Sequence, residues 1–320
     1  MEILLYIVVL VASFFFLIKG ADFLVDNASY IAKAMRIPAV IIGLTIVAFG
    51  TSAPEAGVSI VSSMSGDNAL AISNVVGSNL FNMLVVVGCC ALIRNVSVDK
   101  DIKHRDMPIC LGVTLLLFIF VMNLILSRIE GVFLFIFIIG YVVMLVSVAL
   151  KEIKEAEQHP DDEVEKMVVY PKFRIFLSFI GVVLGVFVIY LASEGVVLSA
   201  KFFAKLLGVS DTVIGLTIVA FGTSLPELVT SVVASRKGEN AIALGNIVGS
   251  NLFNLLFVLG IASTISPISI ATENLIDVGV CLLATIIFFI LIFKNNELKR
   301  RHGIFMLMLY ASYMAYILIR

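Results

Sequence analysis

Charge is scarce in this chain. Of its 320 residues only 14% are charged, tryptophan is absent, and there are seven prolines and three histidines. A soluble domain of this length needs far more polar surface to meet water, so an ordinary cytosolic enzyme is excluded. Basic and acidic residues nearly cancel, 22 against 23, which leaves no electrostatic footprint for nucleic acid. Neither CxxC nor HExxH occurs, so no zinc site or intramembrane metalloprotease is signalled. A Gly-x-Ser-x-Gly elbow is also missing, and with it the case for a hydrolase. No enzyme and no prosthetic group is expected. The four cysteines, Cys89, Cys90, Cys110 and Cys281, sit in apolar runs and read as buried, unpaired packing residues. His104, His159 and His302 fall between those runs and read as solvated.

What the chain has in abundance is apolar sequence: 61% hydrophobic residues and a mean hydropathy of +1.12. That composition describes an integral membrane protein. A bilayer core takes about 20 apolar residues per helix. On that measure ten spans are expected, at 2–34, 37–63, 67–93, 106–126, 129–150, 173–206, 210–235, 239–265, 272–293 and 303–319. The runs do not alternate as barrel strands do, so the fold is all-α. With Glu2 at its start and no basic leader, the first run reads as a retained span and not a signal peptide. If the N-terminus is outside, 17 lysines and arginines fall in inside loops and four outside. The positive-inside rule then places both termini outside the cell membrane. The one substantial hydrophilic segment, 151–172, is cytoplasmic on this count. It divides a five-span unit at 1–150 from a second at 173–320. Its acidic run lacks EF-hand spacing and reads as a solvated linker.

The two units are copies. Residues 43–82 and 215–254 align without a gap at an offset of 172, with 27 of 40 positions identical. Beyond them, Gly20-Ala21-Asp22 aligns weakly with Ala192-Ser193-Glu194. An offset of five spans, an odd number, makes successive copies enter the membrane from opposite sides. The expected architecture is therefore two inverted five-helix repeats. In such transporters the site lies near the midplane between the repeats.

Each copy carries GTSxPE in its second span, as Gly50-Thr51-Ser52-Ala53-Pro54-Glu55 and Gly222-Thr223-Ser224-Leu225-Pro226-Glu227. Proline removes an amide donor and clashes with the preceding turn, so the helix is expected to break just before the glutamate. The break is expected to free the carbonyls of Ala48, Thr51, Ala220 and Thr223, which need a polar partner in hydrocarbon. Glu55 and Glu227 lie mid-span with no lysine or arginine nearby in their own helices. A charged, unpaired carboxylate there is costly. Two carboxylates among hydroxyls and carbonyls make an oxygen cage suited to hard cations such as Ca²⁺ or Na⁺. Thr51, Glu55 and Ser59 share one helix face, as do Thr223, Glu227 and Ser231. Asn74, Ser78 and Asn82 form a second polar stripe, repeated as Asn246, Ser250 and Asn254. Gly77 and Gly249 suit close helix packing. Asp22 and Glu194 either line an ion path or tether helices.

GTSAPE and GTSLPE, each followed by GSNLFN, resemble the paired alpha repeats of the sodium/calcium exchanger branch of the cation/calcium exchanger superfamily. The resemblance is dense over 43–82 and 215–254, and the five-plus-five layout with a short linker extends it to the whole chain, as in prokaryotic members. It implies a ten-helix antiporter that exports calcium against inward sodium by alternating access, with a monomer sufficient. By motif position it implies Glu55 and Glu227 as central calcium ligands, with main-chain oxygens of Thr51 and Thr223. The flanking sodium sites would use the Ala48 and Ala220 carbonyls with Ser52, Ser224, Ser78 and Ser250. Asn82 and Asn254 would sit at the middle. Potassium-dependent exchangers typically carry aspartate where Asn254 stands, which argues against potassium co-transport here, and the proton/calcium branch shows a different acidic motif, so GTSxPE argues against that branch. A proton- or potassium-coupled antiporter on the same scaffold, and a cation channel, are the alternatives.

Overall fold

The computed structural model describes residues 2–66, 68–158, 170–208 and 220–319. Among these the chain is helical apart from four two-residue strands and short turns. The first half contains α1 (Glu2–Met35), α2 (Ala39–Thr51), α3 (Ala53–Met64), α4 (68–93), α5 (Ile102–Val121) and α6 (Arg128–Gln158). The second contains α7 (Lys172–Leu206), α8 (Ala220–Thr223), α9 (Leu225–Lys237), α10 (Asn240–Ile265), α11 (Thr272–Lys294) and α12 (Arg300–Ile319). Among the described residues seven helices are long and apolar enough to cross a membrane, or eight if the bent pair α2–α3 counts as one span. The segment 209–219, which opens the seventh span expected from sequence, lies outside the described residues, as do His159 and most of the acidic linker.

Boundaries moved in two places. The fourth span, expected at 106–126, begins earlier and stops at Val121. There the Asn123 side chain accepts the Ile125 amide at 3.1 Å and turns the chain. The hydrophilic segment beginning at 151 is helical as far as Gln158, because Lys-Glu-Ile-Lys-Glu-Ala-Glu-Gln is built of good helix formers.

Elements repeat at the offset of 172, and so do their contacts. Strand β1 (Val96–Ser97) pairs antiparallel with β4 (Glu297–Leu298), and β2 (Ile125–Leu126) pairs with β3 (Ile268–Ser269). Each pairing is the other with the halves exchanged: Val96 faces Leu298, and Ile268 faces Leu126. Likewise α6 packs on the end of α10, and α12 on the end of α4.

The layering follows burial. The most apolar windows of α10 and α4 are 94% and 78% buried, against 17% for α1. The two central helices carry the polar stripes, while α1, α6 and α7 turn Phe15, Ile136 and Val183 outward, the side a bilayer would cover. α1 and α7 form the most extensive helix pair. The crossing of α2 and α10 depends on glycine. A Cβ on Gly249 would lie 2.6 Å from the Leu44 carbonyl oxygen and 2.7 Å from its Cα. Among the described residues four five-residue turns are π-helical, at Gly43–Val47, Asn82–Val86, Ile102–Asp106 and Asn254–Val258. Such turns break the 3.6-residue rhythm and gather at functional sites.

One buried charge cluster anchors α5 to α6. Asp106, with no solvent exposure, takes two bonds from the Arg105 guanidinium at 2.8 and 2.9 Å and one from the Tyr141 hydroxyl at 3.0 Å. Removing one partner of such a pair strands the other. We expect Arg105→Met to lower stability by roughly 3 kcal/mol, and Asp106→Asn added to it to restore part of the loss. Gly249→Val should cost about 1–3 kcal/mol through backbone displacement. Thermal unfolding of the detergent-solubilised protein checks all three.

Candidate ion-binding site

The GTSxPE motifs do break their helices. Ser52 ends α2 with φ −86° and ψ 7°, and Ser224 ends α8 with φ −91° and ψ 5°. Pro54 and Pro226 then occupy the first turn of the next helix, where a missing amide hydrogen does no harm. The axes of α2 and α3 differ by 50°. One expectation needs correction. The Ala48 carbonyl keeps its helical bond: it accepts the Ser52 amide at 3.0 Å. The donor that proline removes is the one four residues beyond Gly50, so the break loosens that carbonyl instead.

The break aims each glutamate across to the other half. Glu55 Oε1 accepts the Ser224 hydroxyl at 3.1 Å and the Ser78 hydroxyl at 3.5 Å. Glu227 Oε1 accepts the Ser52 hydroxyl at 2.7 Å and the Ser250 hydroxyl at 3.5 Å. These six residues are at most 2% exposed. The second carboxylate oxygen of each glutamate is buried with no hydrogen-bond partner, and among the described residues no lysine or arginine is bonded to either carboxylate. The Thr51 hydroxyl donates to Asn246 Oδ1 at 3.0 Å and lies 3.5 Å from the Ser250 hydroxyl. Thr223 is half-buried in the short helix before Ser224, and Ala220 opens that helix.

The polar stripes bond across α3–α4 and across α9–α10. Asn74 donates to Ser59 at 2.9 Å, and Asn246 to Ser231 at 2.9 Å. Asn82 and Asn254 each open a π-helical turn, with the Val87 and Leu259 amides reaching back five residues to their carbonyls. Both side chains are fully buried, and both amide oxygens lack a partner. Four bare oxygens, two charged and two neutral, thus occur among the residues the sequence singled out. Among the described residues there is no group of three or more His, Cys, Asp or Glu. The arrangement is an oxygen site with two carboxylates, the donor chemistry of hard cations.

Sequence reasoning did not reach Asn79 and Asn251, which bond to Asn254 and Asn82. Both lie inside the repeated GSNLFN, and that repetition was the available signal. Asp22 is settled as a tether: its carboxylate meets Arg236 and Lys237 of α9, each at 3.3 Å, and Lys237 also meets Asp26 at 2.6 Å. Glu194 is exposed on α7. His302 departs from the solvated reading. It is buried in the first turn of α12, where its Nδ1 accepts the Lys299 amide at 3.1 Å. Cys90, Cys110 and Cys281 are buried, whereas Cys89 is half-buried.

Comparison with known proteins identifies the family. The family model described as sodium/calcium exchanger protein matches residues 5–147 and 177–319. The chain is 34% identical over 297 residues to the inner membrane protein YrbG of Escherichia coli, covering 92% of this chain and 90% of that one. It is 34% identical over 344 residues to the sodium/calcium exchanger MaX1 of Methanosarcina acetivorans, covering 96% of each. A solved structure of the sodium-calcium exchanger NCX_Mj, soaked with Na⁺ and Ca²⁺, superposes with a TM-score of 0.84 at 28% identity, covering 97% of this chain and 98% of that one. The chain therefore belongs to the sodium/calcium exchanger protein family: it is an integral, multi-pass membrane ion transporter and not an enzyme.

Proposed function

We propose that the protein exchanges Na⁺ for Ca²⁺ across the cell membrane by alternating access, extruding calcium. The observation that carries this reading is the pair of fully buried glutamates, one from each half, each with an unpartnered oxygen and no basic partner. A charged carboxylate at mid-membrane costs roughly 3 kcal/mol or more. A cargo cation supplies the missing counter-charge, and two carboxylates balance one Ca²⁺.

In this reading Glu55 and Glu227 hold calcium with the main-chain oxygens of Thr51 and Thr223. Sodium ions take flanking positions built from the Ala220 carbonyl, the lone pair of the Ala48 carbonyl that the Ser52 amide leaves open, and Ser52, Ser224, Ser78 and Ser250. Asn82 and Asn254 contribute neutral oxygens between them. Calcium and the full set of sodium ions exclude one another by like-charge repulsion in a low-dielectric site. An empty site leaves both carboxylates uncompensated, which disfavours passage between open states and enforces exchange over leak. More than two sodium ions per calcium move net charge, and each net charge couples to voltage at about 2.3 kcal/mol per 100 mV.

The proposed frame is ten spans in two inverted five-helix repeats, 1–150 and 173–320, joined by a cytoplasmic linker at 151–172. Both termini lie outside, and a monomer is sufficient. The exchanged pairings of β1–β4 and β2–β3 support it, as do the exchanged serine–glutamate bonds. The names of full-length relatives, sodium/calcium exchanger among them, support sodium as the coupling ion. Relatives named sodium/potassium/calcium exchanger match only about a third of the chain, 32% in one human case.

Two measurements test this in proteoliposomes. An outward sodium gradient should drive calcium uptake, and replacing sodium with choline should abolish it. Calcium exchange that survives in choline would sink sodium coupling. Glu55→Gln and Glu227→Gln should each cut calcium flux at least about a hundredfold, since each removes half of the counter-charge, while the protein stays monodisperse in detergent. Near-normal flux in either variant would overturn the site.

A further inference from the structure

The two central helices meet through four asparagines, and their bonds have a forced direction. Asn79 Nδ2 donates to the Asn251 backbone carbonyl at 3.2 Å, and Asn251 Nδ2 donates to the Asn79 carbonyl at 3.3 Å. A carbonyl can only accept, so each amide must turn its nitrogen toward the opposite backbone and its oxygen away. That oxygen is then met by a donor. Asn79 Oδ1 accepts Asn254 Nδ2 at 3.2 Å, and Asn251 Oδ1 accepts Asn82 Nδ2 at 3.1 Å. With their nitrogens so used, Asn82 and Asn254 must present their oxygens on the other side, where both are buried and bare. All four side chains are at most 1% exposed, so water cannot substitute for a lost partner.

We propose that Asn79 and Asn251 are positioning residues for the uncharged ligands of the site. They hold Asn82 and Asn254 with their amide oxygens facing the ion. Asn79 and Asn251 cannot reverse their amides without losing the backbone bonds, so the groups at 254 and 82 must donate to them and turn their oxygens the other way. This rests on the reading of Glu55 and Glu227 as the ion cage and adds to it the residues that aim the cage's neutral oxygens.

The test is calcium binding by titration calorimetry on the purified full-length protein. Asn79→Ala should weaken binding roughly tenfold, in the range of coupled neighbours. Added to Asn254→Ala it should cost no more than about twofold, because Asn79 acts through Asn254. Added to Asn82→Ala, whose amide is held by Asn251, it should cost its full factor. A residue that only stiffens the helices would be harmful in every background, and the same factor throughout would overturn the proposal. The mirror cycle, Asn251→Ala with Asn82→Ala and with Asn254→Ala, makes the same test should Asn79→Ala not fold. Glu55→Gln in the same titration separates the two readings. Undiminished calcium binding there removes the cage itself, whereas lost binding there with unchanged factors at Asn79 removes only the positioning role.

Discussion

Two acidic side chains without a protein counter-charge, buried where two helical halves meet, are the constraint that the rest of the structure answers. Removing a carboxylate from water costs far more than any single packing contact returns. The helix breaks at Ser52 and Ser224 bring each glutamate under a hydroxyl from the opposite half. Ser78 and Ser250 add a second, longer contact. These bonds meet one oxygen of each carboxylate and leave the other bare. A purely structural site would have closed that account with a lysine or arginine, as Arg105 does for Asp106 a short distance along the chain. The contrast between those two kinds of buried acid, one paired with arginine and the other left with a bare oxygen, is what supports the proposed cation site.

The exchange of contacts between halves explains how so demanding a site could be assembled. Every bond that Glu55 makes with Ser224 and Ser78 has a counterpart in Glu227 with Ser52 and Ser250. One solution to the problem of a buried carboxylate, once duplicated, supplies both walls. The glycine crossing of α2 and α10 and the four-asparagine lattice between α4 and α10 then hold the walls in register.

The parts legible in the sequence were those that break a local rule. A glutamate and a proline inside an apolar run are anomalies that composition alone exposes, and the repeat exposes them twice. The polar stripes were visible because Asn74, Ser78 and Asn82 recur at helical spacing. What was not legible depended on partners brought from the other half. The π-helical turns at Asn82 and Asn254 leave no mark on residue type. Asn79 fell off the stripe being followed, though it stands in a repeated motif, because its partner Asn251 lies 172 residues away. His302 read as a loop residue since nothing local shows that it accepts the Lys299 amide. The expectation that Ala48 loses its helical bond failed for a plainer reason: the donor lost to Pro54 belongs to the residue four earlier, and the Ser52 amide still reaches Ala48.

The halves are not equivalent everywhere, and the difference is placed where it can matter to a cycle. Arg236 and Lys237 tie α9 to Asp22 and Asp26 of α1, and Glu239 accepts from Ser29 and Lys33 beyond them. At the repeat offset, Arg236 and Lys237 correspond to Met64 and Ser65, and Asp26 to Leu198. No ion pair of this kind can therefore form from the equivalent positions in the other half. Under the proposed alternating access these pairs favour the state in which α1 and α9 lie together. The bias must be small, because partly exposed pairs contribute at most about 1 kcal/mol each and are screened by salt. A small bias is what an exchanger tolerates. Two states separated by only a few kcal/mol can both be visited, and in the proposed cycle the ion at Glu55 and Glu227, not the latch on one side, decides when the molecule turns over.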